Sequence, residues 1–443
     1  MSENELNESS YVIEFKKIYK FLKKALYKYN KDILAKNNVP NPFNEEKYNE
    51  IINQLKHINS DDEYVQIINQ FLINLHSGHV YMLSNKKMHN SSKILPIVLQ
   101  YSKGKYYVSE SLNPLFAGKE VTKINGENID KYVLQCQGSC SFEYGKCYIK
   151  RLVISSDTQK MITIDRQDEL LEPVESSMFK NKNDRVSNNV IFYYINGLPY
   201  LRINSFSHSL LNTDEIYDFF GEKINGAYEY IKRIANYLNA EGAKSLIIDI
   251  RGNGGGSDEW FKLLCYFSNQ DYRYTCNISS NVGKLDCNQI NEIYQNGGED
   301  IDKSLERINQ SSSELKYSIG IQNGNSTIIN RYLLIDDDNY STSDTLAKLA
   351  NKTGFAKTIG KHTSGDGFGI TPYFFTTKIL EKNEIKIAIP STFYNLNEFQ
   401  TMPDIVIEDD LIMPYEYGTV KDNQLQAIIN YIYHEYKNSD ILL

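Results

Sequence analysis

Two stretches of this sequence hold residues whose types and spacing could do chemistry. One is Ser341-Thr342-Ser343-Asp344, which follows the apolar run Tyr332-Leu333-Leu334-Ile335 and opens a helical pattern. A serine placed where a strand ends and a helix begins exposes its oxygen. The helix dipole there favours the charge formed when that oxygen attacks a carbonyl. The same residues also read as a capping box, Ser-x-x-Asp, which needs no catalytic role. The other stretch is SLIIDIRGNGGGS, from Ser245 to Ser257. Its apolar run, broken only by Asp249, suits a strand buried on both faces of a parallel sheet. The glycines that follow let the backbone turn sharply and leave amide N–H groups bare, a place for a phosphate or an oxyanion. Gly252 and Gly254 do not complete G-x-G-x-x-G, because Ser257 stands at the third position. No Gly-Lys-Ser/Thr follows either, so a Walker phosphate loop is excluded.

A serine nucleophile needs a base, and the chain has 7 histidines. His57 and His434 lie on amphipathic helical patterns among charged residues, His89 in a polar loop, and His76 one turn before an expected helix end. His208 follows a strand pattern in NSFSHS and could be a loop partner. His79, just past Gly78, and His362, in GKHTSGDG, are better placed. On position alone each fits a structural histidine at least as well as a base.

The elements that must position these residues follow from the patterning. At 443 residues the chain can hold two or three domains. A hydrophobic fraction of 41% and a charged fraction of 23% suit a globular protein. The net charge of −8 with no dense basic run argues against nucleic-acid partners. No secretory leader pattern opens the chain and no apolar window is long enough to span a bilayer, so the expected location is cytoplasmic and the 6 cysteines are expected as thiols. Cys136, Cys140 and Cys147 cluster without a zinc spacing, so no metal is expected there.

Residues 1–90 read as a helical region. YVIEFKKIYKFLKKALYKYN forms one amphipathic helix, EEKYNEIINQLKHI a second, and DDEYVQIINQFLINL a third that stops at Gly78. Residues 91–190 change to short alternating runs, ILPIVLQY, KYYVSES, KEVTKING and QKMITID, which read as strands. From 191 to 443 the pattern is α/β. A hairpin turns at Asn196-Gly197, a long helix is expected over YDFFGEKINGAYEYIKRIANYLNAEG, and SLIIDI and YLLID are buried strands. SDEWFKLLCYF reads as a helix with Ser257 as its cap. Residues 270–328 read as a polar, irregular insertion with one helical stretch, a lid or equally an oligomer contact, which leaves a homo-oligomer open. The run Asp336-Asp337-Asp338 reads as a solvated loop.

The combination of LIIDIRGNGGG, NYSTSDTLAKLA, TIGKHTSGDG and MPDIVIED resembles the tail-specific (C-terminal processing) serine peptidases and the related tricorn core proteases. The similarity spans most of 190–410, with LINLHSGHVYM adding support upstream. The segment LFAGKEVTKINGENIDKYV resembles part of a PDZ-like domain, though no carboxylate-binding loop is evident near LPIVLQ. The resemblance implies an α/β core of the ClpP–crotonase kind, with an N-terminal helical region and a small PDZ-like β domain. It implies Ser341 as nucleophile and the amides of Gly255 and Thr342 as oxyanion hole. Tail-specific members take a lysine base from a segment where this chain has Asp366, so a serine–lysine dyad is not expected. The tricorn-like branch uses an upstream histidine and a glutamate before the Pro-Asp motif, which fall here on His79 and on Glu398 ahead of Pro403-Asp404; Gly78 stands where tricorn has a serine.

The expected function is a serine endopeptidase that acylates Ser341, with His79 as base and Glu398 orienting it. His362 is the rival base. No cofactor or metal is called for, and the substrate is a peptide or protein, such as a precursor peptide or a C-terminal tail. The loss of the family lysine keeps a non-catalytic peptide-binding protein as the alternative. A crotonase-like acyl-thioester enzyme shares the oxyanion logic, but no basic cluster is present for coenzyme A.

Overall fold

The structure, a computed structural model, describes residues 9–25, 41, 43–75, 80–84, 93–102, 104–133, 141–143, 146–148, 151–175, 189–208, 215–217, 221–280, 313–365, 372–380, 383–390, 392–394, 400–407 and 422–438. Its contacts divide the chain into two units. One takes in 1–178, 278–315 and 370–396; the other takes in 179–277, 316–369 and 397–443.

In the first unit, helices run over Ser10–Ala25, Glu45–Leu55 and Asp61–Ile73. Their apolar faces meet in an aromatic cluster of Phe15, Tyr19, Phe43, Tyr48 and Phe71. The third helix starts on a true capping box. Ser60 Oγ accepts from the Glu63 amide at 3.3 Å, and the Glu63 carboxylate reaches back to the Asn59 amide at 2.8 Å. That helix ends at Ile73, earlier than Gly78, which lies outside the described residues. Tyr81–Ser84 is a strand and pairs antiparallel with Asn383–Pro390. A sheet over residues 93–175 is held by Leu95, Ile97, Leu99, Val108, Val121 and Ile162, all buried. The GKEVTKINGENIDKYV segment forms a strand (Glu120–Ile124), a turn at Asn125-Gly126, a short strand and the helix Ile129–Val133.

The second unit is built on one six-stranded sheet. We number its elements β1 (Val190–Ile195), β2 (Leu198–Ile203), α1 (Gly226–Ala240), β3 (Ser245–Asp249), α2 (Trp260–Leu264), β4 (Asn330–Ile335), α3 (Thr342–Thr353), β5 (Lys357–Gly360), β6 (Ile405–Val406) and α4 (Asn423–Asn438). The spatial order equals the chain order, β1 to β6, with β1–β2 antiparallel and every other pair parallel. The β1–β2 hairpin turns on Asn196 (φ 47°) and Gly197 (φ 78°), the two left-handed residues a two-residue hairpin loop needs. Every residue of β3 is buried, as its uninterrupted apolar pattern requires. Leu198, Tyr200, Ile247, Tyr332, Leu334 and Ile359 share one sheet face and bury against Leu425, Ile428, Ile429 and Ile432 of α4.

Three expected boundaries move. The long helix before β3 begins only at Gly226, because residues on its N-terminal side pair as a small hairpin, Glu215–Tyr217 with Lys223–Asn225. α2 is a single turn with Glu259, not Ser257, at its N-cap position and no side-chain capping bond; the Ser257 hydroxyl instead accepts from the Glu259 amide at 3.2 Å. The two ends of the stretch expected to be irregular are strands, Tyr272–Ser280 and Ser313–Ile321, and 281–312 lies outside the described residues.

Candidate active site

Parallel strands deliver their carboxyl-end loops to one edge of the sheet, where α/β folds place their sites. Here the loops after β3 and β4 are stitched together by buried side chains. Asp336 Oδ1 accepts from the Gly252 and Asp338 amides at 3.0 and 3.1 Å. The Asn339 side-chain amide donates to the Ile250 carbonyl, and its oxygen accepts from the Asp336 amide at 2.8 Å. Asp336 and Asn339 are buried, so the acidic run is a structural clasp at its first residue and not a solvated loop.

The clasp fixes the chain entering Ser341. This residue has φ 58° and ψ −123°, a conformation that costs a non-glycine residue about 1–3 kcal/mol. Its amide donates to the Gly365 carbonyl at 3.1 Å, and its carbonyl accepts from the Thr345 amide at 3.0 Å, so the backbone is held on both sides. The hydroxyl makes no capping bond and has no hydrogen-bond partner among the described residues. The side chain is half-buried at the N-terminus of α3.

The capping-box reading of Ser341 and Asp344 is therefore corrected. Asp344 turns inward, fully buried, and takes Lys348 Nζ at 2.8 Å, Thr363 Oγ1 at 2.5 Å and Thr401 Oγ1 at 2.7 Å. It ties α3 to two other segments, the 361–365 loop and the chain at 400–404. Ser343 instead ties the elbow to the chain on either side of the cleft. Its Oγ accepts from the Tyr340 amide at 2.9 Å and donates to the Asn253 carbonyl at 2.5 Å.

The glycine turn lies directly against this elbow. A Cβ on Gly255 (φ 99°) would stand 2.5 Å from the Tyr340 carbonyl oxygen and 2.9 Å from both Ser341 Cβ and the Thr342 nitrogen. Only glycine allows that approach. The Gly255 N–H, the expected oxyanion donor, is engaged by Asn253 Oδ1 at 2.9 Å. The orientation of Gly256 follows from peptide planarity. The Gly255 carbonyl accepts from the Phe206 amide at 3.1 Å, and the Ser257 amide donates to the Phe206 carbonyl at 2.7 Å. In trans peptides the N–H opposes the preceding carbonyl, so both the N–H and the carbonyl of Gly256 point away from Phe206. On that side Thr342 Oγ1 donates to the Gly256 carbonyl at 2.6 Å. Neither the Gly256 N–H nor the Thr342 N–H has a partner among the described residues.

Behind the turn sits a buried charge network. Arg251, fully buried, bonds Asp249 at 2.6 Å and Asp422 at 2.6 Å, and Arg202 lies 3.2 Å from Asp249. Burial pushes the Asp249 carboxyl up, but Arg251, Arg202 and the Tyr200 hydroxyl together bring it down to about 2. Burial, and next the Asp249 charge, hold Tyr200 well above the ordinary phenol range.

Of the other expected site residues, His79, Glu398 and Asp366 lie outside the described residues, as do His76 and His89. Cys136 and Cys140 do too, and nothing is described of the Cys147 side chain. His362 sits in the 361–365 loop with Nδ1 3.0 Å from the Thr363 carbonyl, and no hydrogen bond joins it to Ser341. His208 pairs with Glu259 at 2.8 Å at an exposed position, and His57 and His434 are exposed. Lys348 is no substitute base. It stands seven residues along α3 from Ser341, about 10 Å of helix rise, and is bound to Asp344.

A serine freed of capping duty, at a strained strand-to-helix elbow beside amides that have no partner among the described residues, suits acyl transfer. Residues 197–407 match the model of Peptidase family S41, and the chain carries a domain of that serine peptidase family. Among solved structures, mature CPAF has a similar fold, with TM-score 0.60 at 12% identity over 98% of this chain and 99% of that one. Mature CPAF complexed with lactacystin aligns with TM-score 0.60 at 12% identity over 97% of each chain. The tricorn protease aligns with TM-score 0.38 at 16% identity over 89% of this chain and 34% of its own. No curated protein sequence matches the chain. Among the described residues no helix is long and apolar enough to cross a membrane, and no acidic, His or Cys cluster could hold a metal ion.

Proposed function

We propose that this protein is a serine endopeptidase that cleaves a precursor peptide or a protein tail through an acyl-enzyme on Ser341. The observation that carries the reading is the Ser341 backbone at φ 58° and ψ −123°, with its hydroxyl making no capping bond to the helix it opens. In the proposed reaction Ser341 Oγ attacks the scissile carbonyl carbon while His79 takes the hydroxyl proton. Glu398 holds the imidazole tautomer and stabilises the imidazolium. The tetrahedral oxyanion rests on the Thr342 N–H and on the glycine turn. There the Gly256 N–H is the donor without a partner among the described residues, while Gly255 supplies the close approach and its N–H serves Asn253. Collapse breaks the C–N bond, and the proton on His79 leaves with the amine. Water then adds to the ester by the same route and frees Ser341.

The supporting fold reading is a ClpP–crotonase-like core over 191–443, a helical region over 1–90 and a PDZ-like domain over 91–190. The test is fluorophosphonate labelling read by intact mass. Wild type should take one label, which Ser341→Ala and His79→Ala lose, Glu398→Ala slows and His362→Ala keeps. Label lost with His362→Ala but kept by His79→Ala would move the base to His362. No serine-dependent label on wild type would leave a peptide-binding protein on this fold.

A further inference from the structure

The residue after the nucleophile is a threonine whose hydroxyl spans the cleft between the elbow and the glycine turn. We propose that Thr342 is a positioning residue that sets the separation of the two oxyanion donors through its hydroxyl. The inference rests on the peptidase reading above. The two bonds from Phe206 fix the direction in which the Gly256 peptides point, but they hold the turn from its far side. Among the described residues, nothing else bonds Gly256 from the nucleophile's side. The 2.6 Å bond from Thr342 Oγ1 to the Gly256 carbonyl does so.

The bond matters because of what it joins. One end is the residue whose own N–H opens α3, where the helix leaves its first amides unsatisfied. The other end is a glycine at φ 142°, in a run of three glycines with wide conformational freedom. A Cβ on Gly256 would lie 2.2 Å from the Phe206 carbonyl oxygen, so the turn cannot be stiffened by a side chain of its own. The stiffening comes from the neighbour. A hydroxyl donating to that carbonyl holds the Gly256 and Thr342 N–H groups at one spacing before substrate arrives, which is the preorganisation an oxyanion site needs.

The experiment compares wild type, Thr342→Ser, Thr342→Val and Thr342→Ala by the rate of fluorophosphonate labelling against probe concentration, with thermal unfolding alongside. Removing a whole oxyanion donor costs roughly 100–1,000-fold, so loosening the pair should slow the maximal labelling rate of Thr342→Val by roughly 10–100-fold. Probe affinity and unfolding temperature should stay near wild type, and Thr342→Ser should recover most of the rate. Thr342→Ala repeats the test should the methyl that replaces the hydroxyl in valine prevent folding. Labelling of Thr342→Val at the wild-type rate overturns this inference alone, as does a serine variant as slow as the valine one. Absence of any Ser341-dependent label on wild type overturns the peptidase reading and this inference with it.

Discussion

The buried pair of Asp344 and Lys348 gives the sharpest quantitative test of how the nucleophile is held. Both side chains are at most 2% exposed and sit 2.8 Å apart, with Thr363 and Thr401 donating to the same carboxylate. Asp344→Asn keeps a carbonyl for the two threonines but leaves the Lys348 ammonium without this carboxylate. Breaking a buried ion pair at one partner costs about 3–5 kcal/mol, because the remaining charge stays desolvated. Replacing both partners with neutral groups of similar shape is close to neutral by the same argument. Asp344→Asn combined with Lys348→Met should therefore be more stable than Asp344→Asn alone by about 2–4 kcal/mol. At ~2–4 °C per kcal/mol for a folding unit of roughly 200 residues, the size of the one that holds the pair, the single aspartate variant should lose roughly 6–20 °C in Tm. The assay is a double-mutant cycle in thermal and urea unfolding, paired with fluorophosphonate labelling. The double variant should still label, because the threonine contacts that join α3 to the 361–365 and 400–404 segments survive. Strictly additive single-variant losses, with coupling below about 0.5 kcal/mol, would refute the reasoning.

Other perturbations act on the same site. Ser341→Gly removes the side chain from a backbone that glycine tolerates, so stability should rise by about 1 kcal/mol while labelling disappears; a fall in Tm would show that the elbow is not strained. Gly255→Ala forces a methyl into the Tyr340–Thr342 backbone and should cost on the order of 2–4 kcal/mol together with labelling; a wild-type rate would exclude the close approach. Asp249, held at about 2 in the fold, contributes stability that is fully present above its unfolded value near 4 and is lost as pH falls through 2. Acid unfolding of Asp249→Asn should therefore lack on the order of 2 kcal/mol of the pH dependence that wild type shows between about pH 4 and pH 2. Tyr200→Phe deletes the 2.5 Å bond to Asp249 and should cost about 1.5–3 kcal/mol in urea unfolding; no change would mean the bond is energetically silent.

Local pattern was enough for the central sheet. The apolar runs of β3 and β4 and the Asn196-Gly197 turn are legible because strand burial and left-handed turns impose residue types directly. The elbow at Ser341 and the glycine turn were equally visible, as was the need for a base. Helix ends were less so. Tyr81–Ser84 follows a helical pattern in sequence yet pairs with Asn383–Pro390, some 300 residues away, and no local window contains that partner.

The sequence by itself determined that a serine would stand at a strand-to-helix junction facing a glycine turn, since an apolar run, a polar break and a helical pattern follow one another at Ser341, and three successive glycines mark a sharp turn after β3. Tertiary structure alone decided what each polar side chain does there. Asp344 has the spacing of a cap, yet three donors from α3 and two distant segments draw it inward. Asp336 belongs to an acidic run, yet it is buried against the Gly252 amide. Gly255 and Gly256 are indistinguishable as letters; the Asn253 side chain engages one N–H and the Phe206 bonds turn the other toward Thr342. Hydrogen bonds between segments far apart in sequence choose among roles that local chemistry leaves equal, and that choice exists only once the chain has folded.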